Sequence, residues 1–105
     1  MLDDLAEELH NIAIEKGFWP EEVDDIFIAK QCMMIVSEVT ELMEAVRKNK
    51  GEEEVALETA DILIRVLDLY AGLVAVGYTT ISLDYAVQEK TKINKERPHK
   101  HGVKF

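Results

Sequence analysis

Leu2, Leu5, Leu9 and Ile12 recur at intervals of three and four, which places them on one face of a helix running to about Lys16. Gly17-Phe18-Trp19-Pro20 stops that helix. A second stripe follows at Ile28, Cys32, Ile35, Val39, Leu42 and Val46, with Asp24 or Asp25 available as its N-cap. Asn49-Lys50-Gly51 ends the second helix. Glu52, Glu53 and Glu54 then stand where a helix N-terminus favours negative charge. The third helix runs to about Val76 and stops at Gly77. Ser82 caps a fourth, which ends before Pro98. Tyr78-Thr79-Thr80-Ile81 is too short to found a sheet. The pattern predicts an all-α domain over residues 1–105, a four-helix bundle with a basic C-terminal tail at about 97–105.

The third helix departs from ordinary amphipathicity. From Val55 to Val76 its charged residues are Glu58, Asp61, Arg65 and Asp68. At about 100° per residue they fall within a strip roughly 80° wide. A helix apolar over the rest of its circumference needs neighbours on most sides, and three other helices from one short chain are few for that task. A homodimer or a dimer of dimers (a homotetramer) is therefore expected. The strip either lines a cleft or faces water.

Composition narrows the function classes. The chain carries 21 acidic and 12 basic residues, a net charge of −9, which argues against a nucleic-acid polymer as partner. The charge is uneven: from residue 90 onward, six Lys and Arg face a single Glu96, for +5, and the rest carries −14. No apolar run reaches the roughly 18 residues of a membrane span. The acidic, patterned MLDDLAEEL reads as neither signal nor transit peptide. The lone Cys32 excludes a disulfide framework, so a cytoplasmic setting is expected. Cys32 reads as a buried small hydrophobe. Met33, Met34 and Met43 read as core filler or dimer contact.

Two carboxylate pairs carry candidate chemistry. Glu38 and Glu41 are three apart on the second helix, as are Glu58 and Asp61 on the third. That spacing puts each pair on one helix face. On antiparallel neighbours the four would converge and repel, and a hard divalent cation with an oxygen octahedron relieves the repulsion. Glu38 borders the apolar stripe, whereas Glu41 lies further round. The three histidines show no zinc-ligand spacing. On the fourth helix the apolar strip Leu83, Ala86, Val87 continues as Lys90, Asn94 and Arg97. Lys and Arg suit phosphate oxygens, or their stems cover core edges while their heads reach water. Trp19 is a core or dimer anchor, or a platform for a nucleobase. His10 flanks the first helix's apolar stripe.

Ser37-Glu38-Val39-Thr40-Glu41, then sixteen residues, then Glu58-Thr59-Ala60-Asp61, resembles the Glu-Glu-x-x-Glu and Glu-x-x-Asp motifs of the MazG-like, all-α nucleoside triphosphate pyrophosphohydrolases. Lys90, Asn94 and Arg97 are similar to that family's Lys-x-x-x-Asn-x-x-Arg ending. Lys16-Gly17-Phe18-Trp19 and His101-Gly102-Val103-Lys104-Phe105 look like small MazG-like proteins. One departure is Ser37 in place of the motif's first Glu. The resemblance implies hydrolysis between the α and β phosphates, giving monophosphate and pyrophosphate. It implies metal ligation by Glu38, Glu41, Glu58 and Asp61, with Mg2+ (or Mn2+) as cofactor and Glu38 or Glu41 taking the proton from water. Lys90, Asn94 and Arg97 would bind phosphate or sugar, and His10 and Trp19 would flank the base. Within the fold, the alternatives are a dCTP- or dUTP-selective enzyme, an alarmone pyrophosphohydrolase and, more weakly, a phosphoribosyl-ATP pyrophosphohydrolase. A reading of another class is a non-catalytic helical dimerisation module.

Overall fold

The computed structural model describes residues 1–98; the His101–Phe105 ending, and with it most of the expected basic tail, lies outside them. The fold is all-α, with helices α1 (Leu2–Glu15), α2 (Asp25–Arg47), α3 (Glu52–Ala75) and α4 (Leu83–Glu96) and no strand among the described residues. No helix is long and apolar enough to cross a membrane.

The helix starts follow local chemistry. The Asp24 carboxylate accepts the Phe27 amide at 2.7 Å, and the Ser82 hydroxyl accepts the Tyr85 amide at 3.2 Å. Gly51, at φ 99°, takes the left-handed turn that lets α3 follow α2 closely.

α3 is the central element, packed along α1 on one flank and α2 on the other. Leu67, at 2% exposure, anchors the core with Leu69, Ala6 and Ala45. α4 behaves differently. It packs mainly on α1 and buries none of its residues. The expected four-helix bundle is therefore not closed within one chain. The reason is visible in α4 itself: its apolar stripe gives way to Lys90, Asn94 and Arg97 after one turn, too little to pack on two neighbours.

What ties α4 to α1 is reciprocal capping. The Asp3 carboxylate accepts the Leu83 amide (2.7 Å), the Asp84 amide (3.2 Å) and the Ser82 hydroxyl (2.6 Å). The Asp84 carboxylate accepts the amides of Leu2 (2.9 Å) and Asp3 (3.1 Å) and the terminal ammonium of Met1 (3.0 Å). Each helix thus supplies the carboxylate for the other's unsatisfied N–H groups and positive dipole end. These hydrogen bonds hold the Asp84 carboxyl far below its ordinary range, the Leu2 and Asp3 amides contributing most.

Much apolar surface stays open. The radius of gyration, 16.2 Å, exceeds the roughly 13 Å expected of a compact chain of this length. The accessible surface of 8112 Å² exceeds the roughly 5,900 Å² expected of a monomer of this mass. On α2, Met33 (63% exposed), Val36 (53%) and Met43 (55%) face outward. Cys32, expected to be buried, is exposed on the same helix. The packed stripe of α2 is rotated from the expected one: it runs through Ile28, Gln31, Ile35, Glu38, Leu42 and Ala45, leaving Cys32, Val39 and Val46 outside. α2 carries apolar residues on two faces, so periodicity alone does not say which of them meets α3.

Candidate metal centre and cleft

The rotation of α2 brings Glu38 into the packed stripe rather than to its border. There it meets the charged strip of α3. One oxygen each from Glu38, Glu58 and Asp61 lies within 4.8 Å of the other two. In an octahedral Mg2+ site adjacent ligands stand about 2.9 Å apart and opposite ones about 4.2 Å, so the three carboxylates are gathered close enough that small side-chain shifts would let them share one ion. Glu41 is exposed and falls outside this trio, yet its carboxylate is close enough to disturb Glu58.

Glu58 is the strained member. Its Oε2 is buried and has no hydrogen-bond partner. Its carboxyl is pushed above the ordinary range, by desolvation first and then by the charges of Glu41, Glu54 and Asp61. A buried acceptor without a donor is costly, and charges of the same sign around it add to that cost. The one basic partner recorded in the cluster is Arg65, whose Nε donates to Glu38 Oε1 at 2.9 Å. Glu58 has no such basic partner among the described residues; the group that pairs with it is the Glu41 carboxyl, and that hydrogen bond raises its pKa further. Oxygen donors, a net negative field and an orphaned buried oxygen together fit a divalent cation held by Glu38, Glu58 and Asp61, with Glu41 beside them.

Next to the cluster opens a cleft of about 480 Å³ between α1, α2 and α3, within the range of small-molecule sites. Asp61, Arg65 and Asp68 line it from the α3 strip and Glu38 from α2. The strip therefore faces a cleft. Phe18, Phe27 and Ile64 are among its apolar walls, and Lys30 and Gln31 add polar groups from α2.

The residues expected to touch substrate are placed differently. Lys90 and Asn94 are exposed on α4 and, like Arg97, are absent from the cleft wall. The cations this chain does place there are Lys30 and Arg65. Trp19 and His10 stand behind the wall rather than in it. Trp19 Nε1 donates to Asp68 Oδ1 at 3.0 Å, and His10 Nδ1 meets the same oxygen at 2.8 Å. Their rings pack edge to face with centroids 4.6 Å apart, and Phe27 also packs edge to face on the indole, at 5.2 Å. The indole lies on Gly72, where an added Cβ would stand 2.1 Å from Trp19 Cη2. His10 is buried. Both residues thus anchor the loop after α1 to α3 and orient Asp68.

Sequence reasoning gave Arg65, Asp68, Phe27 and Lys30 no role. For the first two a signal existed: both share the narrow strip of Glu58 and Asp61, four and seven residues beyond Asp61. Phe27 and Lys30 carried none, because their facing depends on the rotation of α2. No protein-family model, curated protein or solved structure was found to match the chain.

Proposed function

We propose that this chain is a magnesium-dependent nucleoside triphosphate pyrophosphohydrolase of the MazG-like kind, working as a homodimer or homotetramer. The observation that carries the reading is the orphaned Oε2 of Glu58 inside a carboxylate trio beside a cleft. Such an arrangement destabilises the bare protein and suits a bound cation. The motif resemblance supplies the reaction class.

Glu38, Glu58 and Asp61 would hold the metal, with Glu41 as fourth ligand or proton acceptor. When bound, magnesium neutralises the triphosphate and lowers the pKa of a coordinated water. Glu41, exposed beside Glu58, would take a proton from the attacking water. Arg65 and Lys30 supply positive charge where an anionic substrate enters. Phe18 and Phe27 offer faces for a base. Lys90, Asn94 and Arg97 do not line the cleft of their own chain, so a role for them at the phosphates requires assembly.

The open faces of α2 and α3 support that assembly, since the excess surface is of the size that stable dimers bury. The same faces would also serve a dimerisation module without catalysis. Pyrophosphate release from a panel of ribo- and deoxyribonucleoside triphosphates, in magnesium and in EDTA, separates the two. Magnesium-dependent pyrophosphate with monophosphate as co-product is expected. No turnover on any of them, together with no heat of magnesium binding, would leave the module. Sedimentation is expected to show a dimer or tetramer, and a stable monomer would overturn the assembly.

A further inference from the structure

Asp68 is the cleft-lining carboxylate farthest along α3 from the trio, in a wall to which Lys30 and Gln31 also contribute polar groups. It lies seven residues beyond Asp61 on the same face of α3, about 10.5 Å along the axis, a distance on the scale of a nucleoside. Its side chain is 17% exposed and contributes to the cleft wall. The carboxylate is held unsymmetrically. Trp19 Nε1 and His10 Nδ1 both point at Oδ1. Trp19 can only donate, and an ionised carboxylate can only accept, so Nδ1 carries the imidazole proton. Oδ2 has no hydrogen bond to a described residue, and it is not among the buried orphans. It is an open acceptor on a side chain that lines the cleft together with Phe27 and Ile64, and the two donors on Oδ1 fix the carboxylate.

Resting on the proposed nucleotide reading, we infer that Asp68 selects the base: Oδ2 accepts the exocyclic amine at C4 of cytosine or C6 of adenine, so these bases are preferred over uracil, thymine and hypoxanthine, which carry a carbonyl there. A carbonyl at that point would set two acceptors against each other in a cleft with apolar walls, and a missing amine would leave Oδ2 desolvated without a donor. The clip behind Asp68 makes the inference sharp. In Asp68→Asn the amide oxygen must face Trp19 and His10, because both donate. The amide NH2 then replaces Oδ2 in the cleft, and an acceptor becomes a donor with no change of shape.

The test is calorimetric binding of nucleoside monophosphates to the full chain in magnesium, with CMP against UMP and AMP against IMP. The wild type is expected to bind the amine-bearing member of at least one pair about tenfold or more tightly, and Asp68→Asn to erase or invert that preference. Equal affinity within both pairs for the wild type, an unchanged preference in Asp68→Asn, or no binding of any monophosphate would each overturn the inference. Binding is read without turnover. Base selection without pyrophosphate release would sink the proposed reaction and keep the role of Asp68, whereas release without selection would do the reverse.

Discussion

Two groups of carboxylates in this molecule look alike in sequence and behave oppositely in the fold. Asp3 and Asp84, at the junction of α1 and α4, face the amides of two helix N-termini. Glu38, Glu58 and Asp61, between α2 and α3, face one another, with Arg65 on Glu38. The first arrangement drives the Asp84 carboxyl down, the second drives the Glu58 carboxyl up. Donors decide the difference. A carboxylate given backbone N–H groups holds the fold together, while one given only other carboxylates works against it unless something else binds.

Glu58→Gln breaks the comparison most strongly. It removes one charge from the trio and puts an amide donor beside the remaining carboxylates. Turnover in magnesium is expected to fall by about a hundredfold or more, since even groups behind the metal ligands are commonly worth 10- to 100-fold. The metal-free variant should melt at a higher temperature than the metal-free wild type, and the upward shift expected of the wild type in magnesium should be lost. Wild-type turnover in this variant would remove Glu58 from the centre.

Asp68 lies between the two extremes, with one oxygen doubly satisfied and the other open. Its geometry depends on Gly72, the residue that lets the six-membered ring of Trp19 approach α3 closely. Gly72→Ala would gain helix propensity of roughly 1 kcal/mol but force the ring away. Overpacking of this kind costs about 1–3 kcal/mol, and loss of the Trp19 bond to Asp68 adds to it, so a net loss in urea denaturation is expected. The single tryptophan should report it as red-shifted emission. Unchanged stability and emission would mean that the clip is not held by this contact.

The helices and their caps were legible because they are written locally: Asp24, Gly51 and Ser82 each act within a few residues of themselves. The carboxylate cluster was legible in part: two pairs at i and i+3 pointed to four converging carboxylates, of which Glu41 stays outside the trio and Glu38 enters it only through the rotation of α2. What the sequence hid lies in relations between distant segments. The reciprocal caps join positions about eighty residues apart. The seat of Trp19 depends on an unremarkable glycine in another helix. The rotation of α2 turns on which of two apolar faces finds α3, and this decides that Glu38 is inside and Cys32 outside. The same ambiguity left Lys30 and Phe27 without a role and directed attention to Lys90, Asn94 and Arg97, on a helix that this chain alone does not bring to the cleft.

The smallest effect is the one that tests the comparison by sign. Asp84 has its folded pKa lowered from an ordinary 3.8, so its contribution to stability is present above that value and is lost as pH falls through the folded pKa. Asp84→Asn keeps a good capping oxygen but not the charge. Its stability deficit against the wild type should be constant from neutral pH down to about 4 and then close as acid is added. Glu58 runs the other way. Its folded pKa is raised above 4.5, so the wild type is at its best below that value and loses stability as pH rises through the folded pKa. The advantage of Glu58→Gln in metal-free buffer should therefore be absent in acid and grow toward neutrality. Paired melts of the two variants from pH 3 to 7 should give one gap that is constant down to about 4 and only begins to narrow below it, as a favourable charge starts to be lost, and one that closes toward acid because an unfavourable charge is lost. Two gaps of the same sign would mean that the two sites do not differ in the way their hydrogen bonds imply.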